Sequence, residues 1–223
     1  MTTSWVPVSA ASLVTGVLAL FVGSLLLPVT GDDAAATLQL VRDNDGRWLT
    51  VAVMFFGAGV GLLLGLPALF MLFPQRGRVV GTTGIAVMVV GAAGTVGYAM
   101  LLVFFRALAE AKAVRVEAFD EVTSDPGLTA FLYGWVAAFY LGELLLAVAV
   151  LRSRLTAWTY PAFLLAHILM LPVSYLLPDQ VRSLTVVLVV LGFSGLAFAA
   201  VAEEERLMVD TAPTEAGRPI TLR

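Results

Sequence analysis

The sequence contains no cysteine and only one histidine among its 223 residues. A chain without cysteine forms no disulfide, no thiolate metal site and no iron–sulfur cluster. A single histidine also excludes bis-histidine haem ligation and the multi-histidine sites that hold zinc or copper. We therefore expect no bound metal, no cofactor and little redox chemistry.

Charged residues are scarce as well, at 13% of the chain, whereas hydrophobic residues make up 60%. The mean hydropathy is +0.95. The polar side chains that form a solvated surface are confined to loops and to the C-terminal end. We expect neither a separate soluble domain nor a nucleic-acid partner.

The apolar residues are gathered into six stretches, each about 20 residues or longer and nearly free of charge. About 20 helical residues cross a hydrocarbon core about 30 Å thick. The sequence therefore predicts an all-α polytopic membrane protein with six transmembrane helices in three hairpins, surrounded by the lipid bilayer. Together the helices form one domain over residues 1–203, followed by a polar cytoplasmic tail over 204–223. The predicted spans are residues 8–28, 48–72, 79–105, 128–151, 158–177 and 183–203.

Two short loops, residues 74–78 and 152–154, each contain two arginines and no acidic residue. Loops rich in Lys and Arg stay on the cytoplasmic side, so we place both loops there. The loops after the first and third spans mix basic residues with many acids and are predicted to lie outside. Six spans then leave both termini inside, in the bacterial cytoplasmic membrane.

The first span has an alternative interpretation as a signal peptide, cleaved after the small residues Val29-Thr30-Gly31. Two observations argue against it. The segment Met1–Trp5 has no Lys or Arg, and the apolar run is longer than the 7–15 residues usual for a signal peptide.

Two spans carry stripes of small residues at four-residue intervals, displaced from one another by 77 residues. Small residues let helix backbones approach closely, which favours packing within the bundle; homo-oligomerisation is the alternative. Each striped span also ends in an Arg-x-Arg sequence, so the first two hairpins are hypothesised to be parallel repeats. The stripes are Gly57, Gly61 and Gly65 in the second span, and Gly134, Ala138 and Gly142 in the fourth.

Glu143 is the most informative single residue, because it lies inside the fourth span, about 5 Å from its midpoint at 1.5 Å per residue. A charge at the centre of a bilayer costs about 3 kcal/mol, so such acids usually face the bundle interior and often belong to ion or substrate paths. A structural, hydrogen-bonded role is the alternative. Tyr140 lies on the same helix face, three residues earlier.

His167 lies near the centre of the fifth span, at a depth that matches Glu143 to within about one helical turn. We hypothesise that the two side chains meet across adjacent helices as a protonatable pair. A packing role is the alternative for a lone histidine. Pro172 is predicted to bend the fifth span, and Ser174 and Tyr140 are candidates to line a small polar cavity.

Three further features have local interpretations. Among the tryptophans, Trp135 lies about a turn inside its span and is the candidate for ligand stacking. Residues Asp33–Arg42 are predicted to form a short amphipathic helix, and Asp125-Pro126 suits a helix start, with aspartate as N-cap and proline at the first helical position.

The segment Asp45-Gly46-Arg47-Trp48 leads into a glycine-rich span, and the chain has one lysine against twelve arginines. In these features the chain resembles multi-pass membrane proteins of unknown function from high-GC bacteria. The resemblance implies no particular activity.

The favoured hypothesis for function is a small accessory, scaffold or partner-binding membrane subunit, which binds another membrane protein or a second copy of the chain. The alternative is a small proton-coupled transporter or permease that uses Glu143 and His167. A second alternative is an intramembrane lipid-modifying enzyme. Such enzymes show clustered acids or histidines that this sequence lacks, so an enzyme is not favoured and no catalytic residue is assigned. A polar cavity at Glu143 favours transport, whereas a dry bundle favours a partner-binding subunit.

Overall fold

The computed structural model describes residues 4–28, 34–73, 75–113, 116–174, 176 and 183–211. Within these ranges the fold is all-α, without a strand. Parts of three predicted features lie outside the described residues. They are the alternative cleavage site at 29–31, residues 175 and 177 of the fifth predicted span, and residues 212–223 of the predicted tail.

The helices follow the predicted apolar stretches, with two short helices between them. The α-helices are α1 (Val6–Leu26), α2 (Ala34–Asp43), α3 (Asp45–Gly65), α4 (Arg78–Glu110), α5 (Val116–Thr123), α6 (Pro126–Ser153), α7 (Thr159–Ser174) and α8 (Val186–Thr211). A 3-10 helix over Leu66–Leu72 continues α3.

Five of the described helices are long and apolar enough to cross a membrane, judged by length and composition. They are α1, α3 with its 3-10 continuation, α4, α6 and α8. These helices indicate a membrane-embedded, multi-pass helical bundle. The fifth predicted span corresponds to α7, whose 16 residues are shorter than a full crossing. The sixth crossing stays a prediction.

Six helices, α1, α3, α4, α6, α7 and α8, form a closed ring, and we call them the core helices. Each packs against the next core helix in chain order, and α8 packs against α1 to close the ring. The two ends of the ring differ. We call the end with Arg76 and Arg152 the arginine end, and the opposite end, where α2 lies, the α2 end.

The arginine end is filled with apolar side chains. The 3-10 helix packs against α1, α3, α4 and α8, and its Leu66, Leu69 and Leu72 are fully buried. They join one hydrophobic cluster with side chains from the other core helices, including Leu13, Met88, Leu146, Leu164 and Phe193. No wide aqueous path crosses this half of the described bundle, because its interior is occupied by these side chains.

The α2 end is covered by α2, which confirms the predicted amphipathic helix with bounds shifted by one residue. The Arg42 Nε donates a hydrogen bond to the Ala109 carbonyl oxygen at 2.8 Å. The Trp48 Nε1 donates to the Leu102 carbonyl oxygen at 3.2 Å, and the side chains of Asp45 and Arg106 form an ion pair. These contacts tie α2 and the start of α3 to the last turns of α4.

Two local features of the chain take a definite form in the structure, a predicted helix cap and a loop glycine. The Asp125 Oδ1 accepts a hydrogen bond from the Leu128 backbone N–H at 2.7 Å, which confirms the predicted N-cap of α6. The Gly77 φ angle is +79°, and a Cβ there would lie 2.7 Å from the Ala149 carbonyl oxygen. The Arg-x-Arg loop after the 3-10 helix therefore requires glycine at its centre.

The striped glycines divide into packed and open positions. A Cβ on Gly61 would lie 2.7 Å from the Gly16 Cα, and Gly65 lies directly against the backbone of Leu13. A Cβ on Gly142 would lie 2.7 Å from the Met88 backbone nitrogen. By contrast, Gly57 and Gly134 are exposed, with no atom within 4 Å of an added Cβ, and Ala138 is half-buried. Only part of each predicted stripe is therefore an internal packing face.

Candidate functional site

Glu143 is fully buried in the middle of α6, and His167 in α7 is almost as deeply buried. The preceding residue, Gly142, brings α6 against α4. Because adjacent residues differ by about 100° around a helix, Glu143 points away from that contact and toward α7. The packing of α6 against two neighbours thus places the carboxyl group at a helix–helix interface, away from lipid.

The Glu143 carboxyl group and the His167 imidazole form a hydrogen-bonded pair. The His167 Nδ1 lies 2.9 Å from Glu143 Oε2 and 3.1 Å from Oε1. With the carboxylate ionised, the Nδ1–H donates to it; with the carboxyl group protonated, its O–H donates to Nδ1. Either arrangement keeps one proton between the two groups. The structure therefore brings together two of the predicted site residues that are 24 positions apart in sequence.

Tyr140 contacts the same imidazole. Its ring stacks on the His167 ring with a centroid separation of 5.2 Å and an interplanar angle of 15°. Tyr140 and Glu143 lie one turn apart on α6, so both approach His167 from one helix face. The stacked ring restricts rotation of the imidazole and fixes the direction of its second nitrogen.

A half-enclosed cavity of about 190 Å³ adjoins this pair. Every core helix contributes to its wall, so the cavity lies on the axis of the ring. His167 and Tyr140 form part of the wall. The lining residues are Leu20, Ser24, Phe55, Thr95, Trp135, Val136, Phe139, Tyr140, His167, Val186 and Val189.

The cavity occupies the half of the bundle nearer the α2 end. Its lining residues belong to the last turns of α1, the first turn of α8 and the middle turns of α3 and α6. The apolar cluster that contains Met88 and Leu146 fills the other half. His167 therefore separates Glu143 from the cavity, near the level where open space gives way to packed core.

Trp135 forms the part of the cavity wall that lies toward the α2 end. Its ring packs directly on Gly94 of α4, where any larger residue would collide with it. The Tyr98 and Trp135 ring centroids are 5.8 Å apart. The indole Nε1 is buried and has no hydrogen-bond partner in the described part of the chain. A buried donor without a partner is uncommon and indicates a group that a ligand or water satisfies.

The remaining predicted site residue, Ser174, is the last residue of α7, seven positions after His167. Its side chain lies outside the described part of the structure. Pro172 lies inside α7, and the predicted bend at this residue stays a prediction. Sequence analysis missed Ser24 and the apolar lining residues, because an apolar side chain within a span gives no signal that separates a cavity wall from a lipid-facing surface.

Within the described residues, no three histidine, cysteine, aspartate or glutamate side chains are grouped as a metal site requires. Comparison of the chain with protein-family models, with curated proteins and with solved structures finds no match. The geometry of the site is therefore the basis for an inference about function.

Proposed function

We propose that this protein is a small proton-coupled transporter or permease of the bacterial cytoplasmic membrane, with six spans and both termini inside. The observation that supports it is the buried Glu143–His167 pair at the inner end of a central cavity. The sixth span in this proposal is α7, extended by residues beyond Ser174.

The pair is suited to bind and release a proton because of its burial. When His167 Nε2 also carries a hydrogen, the proton shared between the carboxyl group and Nδ1 leaves the pair with no net charge. Adding a proton, or removing one, leaves a net charge in a region of low dielectric constant. A molecule that enters the cavity beside His167 contacts one member of the pair, and so it acts on the proton that the two groups share. This is the coupling that a proton-driven permease requires.

The packed arginine end is the part that must open in the second state of a transport cycle. The 3-10 helix Leu66–Leu72 lies at the centre of that end. A 3-10 helix has poorer hydrogen-bond geometry than an α-helix, and at seven residues this one is longer than most. We therefore propose that this segment moves when the cavity changes the side to which it opens.

A partner-binding accessory subunit remains the second candidate, and a different observation favours it. A shallow groove runs along the outside of α1 and α3, past the open position of Gly57. Its small side chains fit the close approach of another helix, from a partner protein or a second copy. The groove is lined by Pro7, Val8, Ala11, Ser12, Thr15, Phe56, Gly57, Val60 and Gly61.

The test of transport uses the purified protein in liposomes with an imposed pH gradient. The liposomes are incubated with a small-molecule extract of the host, washed, and analysed by mass spectrometry. We expect at least one compound to accumulate only when the gradient is present, and its accumulation to disappear in Glu143→Gln, which keeps the shape of the side chain. Accumulation that is equal in wild type and Glu143→Gln, or that ignores the gradient, contradicts the proposal.

Native mass spectrometry of the protein extracted from its host in mild detergent separates the two candidates. A protein partner in fixed stoichiometry supports the accessory subunit and directs attention to the groove of α1 and α3. A monomer or homodimer without a partner supports the permease.

A further inference from the structure

We propose that the central cavity binds an uncharged, mainly apolar molecule that carries a hydrogen-bond acceptor, and that the Trp135 Nε1–H donates to this acceptor. The inference names the substrate class of the proposed permease and rests on that function for its physiological meaning. Binding itself is a separate property, and it can be measured without any transport.

The wall of the cavity is mainly apolar and aromatic. Phe55, Trp135, Phe139 and Tyr140 contribute aromatic rings, and valine and leucine side chains form much of the rest. Aromatic side chains in a pocket supply large apolar contact area with few rotatable bonds. A flat, apolar molecule therefore gains most from binding here.

The charges at the cavity argue against an ionic ligand. His167 is the described lining residue that can carry a positive charge, and it is already paired with Glu143. An anionic ligand would have no free cation to meet, and a cationic ligand would have no free carboxylate. Because an unpaired charge in a low-dielectric pocket is costly, the ligand is neutral.

The polar groups of the wall select an acceptor on the ligand. The Ser24 hydroxyl donates to the Leu20 carbonyl oxygen at 2.8 Å, and the Thr95 hydroxyl donates to the Gly91 carbonyl oxygen at 3.0 Å. Both hydroxyl protons are therefore engaged within their own helices. Among the described lining residues, the buried polar atom left without a partner is Trp135 Nε1. An indole N–H only donates, so it calls for a carbonyl, ether or similar oxygen on the ligand.

Benzophenone is a probe with these properties, because it is uncharged, aromatic and carries one carbonyl oxygen. On illumination this oxygen abstracts a hydrogen atom from a nearby C–H, and the two carbon radicals then join. The adduct has the mass of the protein plus one intact benzophenone. The protein is reconstituted in liposomes, illuminated with benzophenone at a low fraction of the lipid, digested and mapped by mass spectrometry. We expect the adducts to concentrate in the cavity-lining parts of α6 and α8, over 135–140 and 186–189.

Competition identifies the hydrogen bond. Fluorenone, which has a carbonyl oxygen, and fluorene, which lacks it, are compared as competitors of labelling. In the wild type we expect fluorenone to compete about five- to tenfold better than fluorene, the factor that one hydrogen bond supplies. In Trp135→Phe, which keeps an aromatic ring and removes the N–H, this preference should fall to about one. Trp158→Phe, outside the cavity, is the matched control and should keep it.

A second variant tests the cavity independently if Trp135→Phe fails to fold. Ser24→Phe fills the cavity from α1 and should abolish the labelling of α6 and α8 while labelling of lipid-facing segments persists. Labelling spread evenly over lipid-facing segments, or a fluorenone preference unchanged in Trp135→Phe, overturns the inference. If labelling behaves as expected but no compound shows Glu143-dependent transport, the binding site stands and the permease fails. Glu143-dependent transport without cavity labelling supports the permease and overturns the binding site.

Discussion

In two helices of this protein, α3 and α6, a glycine packs against the backbone of a neighbouring helix, but the residues that follow the two glycines differ in polarity. Gly65 lies against Leu13 of α1, and Gly142 lies against Met88 of α4. The following residues, Leu66 and Glu143, are both fully buried. One is apolar and joins the core of the arginine end, whereas the other is an acid that requires a partner from a third helix.

The polar groups near these two positions are satisfied by different means. Just after α3, Pro67 lacks an N–H and the chain tightens into the 3-10 helix. The Ser9 hydroxyl of α1 spans this change, since it donates to the Leu64 carbonyl oxygen at 2.7 Å and accepts from the Ala68 N–H at 3.1 Å. That solution involves a hydroxyl and backbone groups alone.

In α6 the backbone continues as a regular α-helix through Glu143, and the polar group is an ionisable side chain. It is satisfied by His167, which is ionisable as well. A serine holding a backbone turn has one state, whereas an acid and an imidazole sharing a proton have several. For this reason the proposed function rests on the α6 contact, whereas the α3 contact is explained by packing alone.

The largest effect is expected when an acid is placed at position 66, which follows Gly65 as Glu143 follows Gly142. In Leu66→Glu the carboxyl group lies in the apolar cluster without a partner, so we expect a loss of more than about 3 kcal/mol of stability or failure to accumulate in the membrane. Leu66→Met is the matched control and should cost less than about 1.5 kcal/mol. Expression level and reversible unfolding in mixed micelles measure both. A stable Leu66→Glu protein would show that water reaches the arginine end, and it would contradict the packed apolar core there.

The glycines provide a second comparison, within each stripe. We expect Gly65→Ala and Gly142→Ala to destabilise the bundle by about 2 kcal/mol each, because the added methyl group meets the backbone of a neighbouring helix. Gly57→Ala and Gly134→Ala have open space and should be neutral. Thermal unfolding of the four variants in detergent decides the matter. A cost at Gly57 that appears only in a dimeric preparation would instead support the partner-binding groove.

The third prediction concerns the pair itself. In a double-mutant cycle of Glu143→Gln and His167→Ala, we expect a coupling free energy of about 1.5 kcal/mol, because the two groups are in direct contact. Each single variant should cause the same functional defect, and the double variant should be no worse. Additive losses in both stability and function would mean that the two residues act separately.

The smallest effect is expected at Ser9. Ser9→Ala removes the hydroxyl that joins α1 to the 3-10 helix, and we expect a loss of about 1 kcal/mol. Ser12→Ala should be neutral, because within the described residues the Ser12 hydroxyl bonds to the Val8 carbonyl oxygen of its own helix. Unfolding measurements on both variants test the architectural role of Ser9. A transport defect in Ser9→Ala at unchanged stability would favour movement of the 3-10 segment.

Much of the fold was predictable because helix formation in a membrane depends on local sequence. Apolar runs such as 128–151 and the cap at Asp125 predict the start and course of α6 to within a few residues. The candidate site was predictable only in part. The depth of Glu143 and His167 follows from counting residues along each span, but whether α6 and α7 are neighbours does not.

The chain by itself determined that this is an all-α, multi-pass membrane protein with two ionisable residues at matching depth. The reason is that a bilayer requires long apolar helices, in which ionisable residues are rare and therefore easy to identify. The tertiary structure alone decided that Glu143 meets His167, that Trp135 faces a central cavity, and that Gly57 is open while Gly65 is packed. Those outcomes depend on which helices are neighbours and on their rotation about their axes. In lipid these are set by the fit between side chains on different helices, which no short stretch of sequence determines.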